Sequence, residues 1–392
     1  MTQYDFTTRP NRVGQLAKKW LTNQDNPHLL QMWVADMDFQ PLPEVRQALK
    51  QYAEEEVFGY PYFKDSLYQA IIDWEKDQHG YAISKEDILL IEGVVPAFSI
   101  VIQAYTQEND SVLINTPVYP PFSSTVRLNK RQLVTNSLVE RNGQFEIDFE
   151  QLERDIVDNQ VKLYLFCSPH NPGGRVWTEE ELRKIGHICQ KHGVTLVSDE
   201  IHQDLTLFGN KHHSFNTLDP DFKEFTVILA SATKTFNIAG TKNSFVIIEN
   251  PDLRKKFYQR QLMNNHHEIA TVGLIATETV LTQGHEWLAQ LKEVLETNVQ
   301  FVADYLTEHS QIRVMKPQGT YLLWLDFSAY GLDHQEVHRR LLEEAQVVLN
   351  DGLTFGKEGK YHARFNAASP FATVKEACER IVSVFGKQSF LL

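Results

Sequence analysis

Cysteine is scarce in this chain. The three present, Cys167, Cys189 and Cys378, are widely spaced and odd in number, which argues against a disulfide framework and against a CxxC metal site. Long apolar runs are missing too. The most apolar long stretch, 88–105, is interrupted by Glu92, Gly93 and Pro96, so it falls short of the roughly 20 apolar residues a bilayer span needs. Residues 1–10 are polar and acidic, where a secretory signal would place a basic start and an apolar run. Positive charge is in deficit. A formal net charge of −13 with no concentrated basic stripe opposes a phosphate backbone. There is no repeat, no low-complexity tract and no Gly/Ser-rich linker, so any domain boundary runs through folded segments. The expectation is a reduced, cytoplasmic protein with neither a membrane nor a nucleic-acid partner.

What is present is an ordinary globular composition, 42% hydrophobic and 23% charged over 392 residues, long enough for two domains. Short β-rich apolar runs recur at 111–114, 161–167, 194–198, 226–230 and 244–248. Most are continuous rather than alternating, the pattern of strands covered on both faces. Between two of them Thr178 and Glu181 form a capping box. Leu182, Ile185, Ile188 and Cys189 make one apolar stripe, and Gly193 offers a stop. Strand, helix and strand thus form a crossover unit of an α/β domain. Beyond about residue 282 the pattern changes to a long amphipathic helix at 286–308, a strand at 320–327, a helix from His334 and a strand at 362–366, a separate α+β unit. In the N-terminal segment, 33–39 reads as extended and 43–52 as helical.

Reactive groups gather where strand-like runs end, and α/β sheets present ligands to the crevice at the carboxyl ends of their strands. One end is Phe166-Cys167-Ser168-Pro169-His170-Asn171-Pro172-Gly173-Gly174; a second is Ser198-Asp199-Glu200-Ile201-His202; a third is Ser231-Ala232-Thr233-Lys234-Thr235-Phe236-Asn237. Singly, each has a plainer reading. Lys234 fits a solvated turn, Asp199 a helix cap and Asn171 a turn stabilised by its own amide. Their combination and order carry more.

Over nearly its whole length the chain resembles fold type I pyridoxal-phosphate (PLP) enzymes of the aminotransferase class I/II superfamily. The resemblance rests on 168–174, Asp199-Glu200-Ile201-His202 and 231–240. It implies an α/β PLP-dependent transferase fold: a large domain with a mostly parallel seven-stranded sheet flanked by helices, over 50–284, and a smaller α+β domain from 1–49 and 285–392. It also implies that Lys234 carries pyridoxal 5'-phosphate as a Schiff base, that Asp199 pairs with the pyridine nitrogen and that Asn171 bonds the phenolic oxygen. A carboxylate there keeps the ring protonated and able to accept an electron pair. The lysine must shed its proton, which burial or a nearby cation favours. Backbone amides around Val94 and Val95, where a helix opens, suit the phosphate. By resemblance Ser231, Thr233 and Lys242 add to that cup, although relatives often have Arg in place of Lys242. Tyr119 resembles the aromatic stacked on the ring and also fits core packing. Tyr60 resembles the tyrosine that reaches the partner subunit's cofactor, implying a homodimer with shared sites. Arg364 matches the arginine that grips the substrate α-carboxylate with its fork, with Ala35 and Tyr119 beside it in the substrate set.

Racemisation, transamination and β-elimination all begin with loss of the same α-proton, so the cofactor motifs leave the reaction open. Trp33-Val34-Ala35-Asp36-Met37-Asp38-Phe39, Glu92-Gly93-Val94-Val95-Pro96-Ala97 and His202, where aminotransferases commonly have tyrosine, resemble the cystathionine β-lyase, or C-S lyase, branch. The implied activity is α,β-elimination of a small sulfur amino acid, L-cystathionine and L-cysteine, to pyruvate, ammonia and a thiol or sulfide. An aminotransferase is the alternative within enzymes, and a PLP-binding regulatory protein the alternative outside them. No metal is expected, since His266-His267-Glu268 lacks a second His at helical spacing. No GxGxxG opens a helix after the first strand, which disfavours a nicotinamide enzyme.

Overall fold

Seven strands form the central sheet of the computed structural model, which describes residues 3–387. In chain order they are β1 (Ile88–Ile91), β2 (Ser111–Thr116), β3 (Gln132–Ser137), β4 (Leu163–Cys167), β5 (Thr195–Asp199), β6 (Thr226–Ala230) and β7 (Ser244–Ile247). Their spatial order is β1-β7-β6-β5-β4-β2-β3. All neighbouring pairs are parallel except those made by β7. The continuous apolar runs have the expected cause, because β2, β4, β6 and β7 are buried at every position. Successive residues feed two cores: Tyr164 and Phe166 of β4 pack on one face, Leu163 and Leu165 on the other. Each such side chain contributes about 1.5–3 kcal/mol by leaving water. The edge strand β3 has no sequence signal of this kind, since half of it faces solvent and it carries Gln132, Thr135 and Asn136.

The helix Glu179–His192 starts on its capping box, with the Glu181 amide donating to Thr178 Oγ1 at 3.3 Å and the Thr178 amide to Glu181 Oε2 at 2.8 Å. It stops at Gly193 in the left-handed region, φ +64°. Helix α1 (Val94–Tyr105) follows β1 directly and buries Ala97, Phe98 and Val101 against the sheet, so its N-terminus lies at the carboxyl edge.

A second sheet, antiparallel and four-stranded, runs β8 (Arg313–Met315), β9 (Leu322–Asp326), β11 (His362–Asn366), β10 (Asn350–Asp351) in space. Helices His285–His309 and Phe371–Phe385 pack on each other beside it. The N-terminal segment reaches this unit through Leu30–Gln31, which pairs in parallel with Val347–Val348.

The extended reading of 33–39 is corrected: the segment is a chain of bends with no strand partner. The Asp36 amide turns back to the Val34 carbonyl at 2.8 Å and the Asp38 amide reaches the Ala368 carbonyl at 2.9 Å; side chains meet much of the rest. Asn366 Nδ2 donates to the carbonyls of Val34 (2.6 Å) and Asp36 (2.7 Å). Asn237 accepts from the Met37 amide (2.9 Å) and donates to the Met37 and Phe39 carbonyls. Ion pairs fix it from outside: Arg12 forks onto Asp36, and fully buried Lys19 meets Asp38 at 2.9 Å.

Candidate active site

The carboxyl ends of β1, β2, β4, β5 and β6 open into one cavity of about 640 Å³, closed on the far side by the 33–35 turn and by Asn350 and Arg364 of the second sheet. Strand β5 ends on Asp199, wholly buried at the cavity floor. One oxygen accepts the Ile201 amide at 3.2 Å. Burial pushes its carboxyl up to about 7, with the Ile201 bond and Lys234 opposing. Just after β6, Lys234 sits in a single helical turn and donates from Nζ to the Ala35 carbonyl at 2.6 Å. Burial lowers its amine to about 8, helped by Arg364 and Lys242 and resisted by Asp36 and Asp199. Tyr321 donates to the same carbonyl at 3.1 Å.

The loop after β4 is braced from several directions. Buried His170 bonds the Pro117 carbonyl at 3.0 Å, tying this loop to the one that carries Tyr119. Gly174, at φ +65°, lies so close to the segment before β9 that a Cβ would stand 2.2 Å from Pro317 Cβ. So held, Asn171 presents Oδ1 to Arg364 Nη1 at 3.0 Å. Arg364 Nη2 also donates to the Trp33 carbonyl (2.9 Å) and Asn350 Oδ1 (2.6 Å), while its Nε is buried with no partner. All three acceptors are neutral. Burial lowers this guanidinium to about 10, leaving it charged at neutral pH. His202 is buried, its Nδ1 is unpartnered, and burial, then Lys234 and Arg364, drive it down to about 3, so it is a neutral imidazole.

Val94 and Val95 stand at the first turn of α1, where Gly93 provides no side-chain cap. Their amides therefore face the cavity as anion donors. Thr233, Lys242 and half-exposed Tyr119 also line it. Of the residues expected from sequence, two lie outside the cavity lining. Ser231 is spent on local bonds, accepting the Thr233 amide and donating to the Asn243 carbonyl. Tyr60 is 96% exposed on the surface, beside exposed Val57, Phe58 and Tyr62.

Set beside known proteins, residues 27–381 match a family model described as aminotransferase class I and II. The chain belongs to that family. It is 39% identical over 381 residues to the cystathionine beta-lyase PatB of Bacillus subtilis (strain 168), covering 96% of this chain and 98% of that one. Among solved structures it is similar to cystalysin from Treponema denticola, which contains pyridoxal 5'-phosphate, with 35% identity, TM-score 0.95 and coverage of 98% and 99%. It is also similar to the PLP-bound C-S lyase from Staphylococcus hominis, with 30% identity, TM-score 0.91 and 98% of each chain.

The donor set suits the cofactor of this family. A buried carboxylate with an open oxygen fits a ring N–H, a buried lysine whose amine is lowered to about 8 fits an aldehyde, and free helix-terminal amides beside Lys242 fit a phosphate. Several groups here were not foreseen from sequence. Tyr321, Asn350 and Asn366 act across long separations and have no local signature, while Asn237 stands in the 231–240 motif with no hint of its hold on the Met37 and Phe39 backbone. Glu268 lines the cavity, and its neighbour His266 pairs with Glu92, next to the phosphate-facing helix. Outside the cavity His334, His338 and Asp351 gather within 4.8 Å. There His334 Nδ1 accepts the Tyr361 amide, so Nε2 keeps its proton and gives it to Asp351 at 2.8 Å. That hydrogen-bonded arrangement braces the turn after β10 and uses the lone pairs a metal would need.

Among the described residues no helix is long and apolar enough to cross a membrane.

Proposed function

We propose that this chain is a PLP-dependent carbon–sulfur β-lyase that cleaves L-cystathionine, and L-cysteine, to pyruvate, ammonia and homocysteine or sulfide. The observation that carries this reading is the convergence in one cavity of a poised Lys234, a buried Asp199 and an Arg364 that has no anionic partner among the described residues, on a chain whose length matches carbon–sulfur lyases.

When bound, pyridoxal phosphate supplies an electron sink for the pair left by a departing α-proton. Asp199 would hold the ring nitrogen protonated, and Asn171 would donate toward the phenolic oxygen. The amides of Val94 and Val95, with Thr233 and Lys242, would hold the phosphate, and Tyr119 would cover the ring. Arg364 orients the substrate by its α-carboxylate, with Ala35 beside it. With its amine free to act as base, Lys234 would take the proton from Cα and pass it to the sulfur as the Cβ–S bond breaks. The Ala35 carbonyl gives its amine a fixed resting place. The thiol leaves, and the aminoacrylate that remains takes up water to yield pyruvate and ammonia. Neutral His202 lies close to this machinery without adding a charge that would compete with Lys234.

Tyr60 and its exposed neighbours are the surface through which a second copy would complete each site. The chain divides, on this reading, into a large unit at 50–284 and a small unit formed by 1–49 and 285–392, which carries Arg364 onto the substrate.

The test is holoprotein with L-cystathionine and no keto acid. Sustained, equimolar release of pyruvate and thiol is expected. The family also contains aminotransferases; conversion of the cofactor to its amine form without thiol, restored by a keto acid, would replace the lyase reading with that one.

A further inference from the structure

Four cationic side chains line the cavity: Lys18, Lys234, Lys242 and Arg364. On the reading above, three have tasks, namely the cofactor aldehyde, its phosphate and the substrate α-carboxylate. Lys18 has none. It is exposed, and among the described residues it has no hydrogen-bond or ion-pair partner.

Its place is fixed by its neighbours. Lys18 opens the short 3-10 helix Lys18–Gln24. The next residue, Lys19, is fully buried and bound to Asp38 Oδ2 at 2.9 Å. The Trp33 indole donates to the Lys19 carbonyl at 3.1 Å, and the Trp33 carbonyl accepts from Arg364 Nη2 at 2.9 Å. Trp33 therefore links Lys18 to the Arg364 end of the cavity. The acidic lining residues lie elsewhere: Asp199 is on the floor, and Glu92, with its ion pair to His266, adjoins the first turn of α1, drawing the Glu268 segment to the phosphate end.

We infer that Lys18 is a specificity-determining residue that binds a second, distal carboxylate on the substrate side chain. The favoured substrate class is then a thioether whose leaving half itself ends in a carboxylate, in preference to a neutral S-alkyl cysteine. This rests on the lyase reading for the chemistry, but the charge pairing is separable from it. Trp33 and Val34 form apolar walls suited to the methylene chain between the two carboxylates. Lys18 is solvated, so its contribution is that of an exposed ion pair: modest and weakened by salt.

The test uses holoprotein and its Lys18→Met and Lys18→Glu variants. Each is titrated with L-2-aminosuberate and with L-2-aminooctanoate, isosteres with and without the distal carboxylate. Neither has a leaving group, so affinity is read from the bound cofactor's absorbance whether or not elimination occurs. The preference for aminosuberate is expected to fall about two- to fivefold in Lys18→Met, the range an exposed pair spans, and further in Lys18→Glu. The wild-type preference should shrink as salt rises. An identical affinity ratio in all three proteins overturns the inference. The ratio of kcat/KM for L-cystathionine to that for S-butyl-L-cysteine should move in parallel. Loss of the affinity preference in the variants, with no thiol released by any of the proteins, would sink the lyase reading while leaving Lys18 assigned.

Discussion

Replacing Arg364 with alanine tests the substrate end of the site most directly. The guanidinium is 3% exposed, bonded only to neutral oxygens of Asn171, Trp33 and Asn350, and still charged at neutral pH. A buried cation without an anion is costly, and pairing it with a substrate carboxylate recovers that cost. Removing one partner of such a pair costs about 3–5 kcal/mol. At about 1.36 kcal/mol per decade, kcat/KM for L-cystathionine should fall roughly 150- to 5,000-fold. Part of any loss is structural, because Asn171 and Asn350 lose their donor. A ligand cycle separates the two. Binding of L-2-aminooctanoate is compared with that of heptylamine, the same molecule without its carboxylate, in wild type and Arg364→Ala. Structural damage weakens both alike and cancels in the ratio. The expected result is a loss concentrated on the amino acid, with heptylamine little changed. Arg364→Lys should recover part of the amino-acid affinity, since it restores the charge without the planar fork. An equal loss for both ligands in Arg364→Ala would refute the carboxylate assignment and leave Arg364 a structural tie between the two sheets.

Two further outcomes follow from the titrating groups. The Lys234 amine, lowered by burial and then by Arg364 to about 8, is the form that attacks an aldehyde, so cofactor-free protein should take up pyridoxal phosphate faster as pH rises through about 8. Stopped-flow absorbance reads this; in Arg364→Ala the midpoint should move upward, and a rate flat in pH would contradict it. Behind the site, Asp204 bonds His79 (2.8 Å), Trp74 (3.0 Å) and Thr235 (2.6 Å). Burial pulls His79 down, but the Asp204 bond and the nearby acids hold it up at about 9. A folded-state value above the ordinary one near 6.5 means stability that is complete below about 6.5 and is lost as pH climbs through about 9. Asp204→Asn should therefore destabilise more at pH 6 than at pH 9.5 in denaturant melts, and an equal loss at both would remove His79 from the account.

The residues to which the proposed chemistry is assigned differ in how legible they are in the sequence. Asp199, Asn171 and Lys234 could be located because β4, β5 and β6 are covered on both faces and so write themselves as unbroken apolar runs; whatever polar group follows such a run stands at the sheet's carboxyl edge. Arg364 is assigned by its match to the family arginine, since an arginine inside an alternating strand such as 362–366 reads locally as a surface charge. The turn at 33–36 could not be read locally. Val34, Ala35 and Asp36 look extended by composition, and what bends them is a single amide, Asn366, about 330 residues away, capturing the two carbonyls on either side of Ala35. With those two carbonyls claimed, the Ala35 oxygen is left to face Lys234 and Tyr321. The resting place of the Lys234 amine is thus shaped by a side chain of β11, the strand that also carries Arg364. On the proposed reading, substrate-carboxylate recognition and lysine placement share one strand, two residues apart, so a shift of β11 toward or away from the central sheet moves both together.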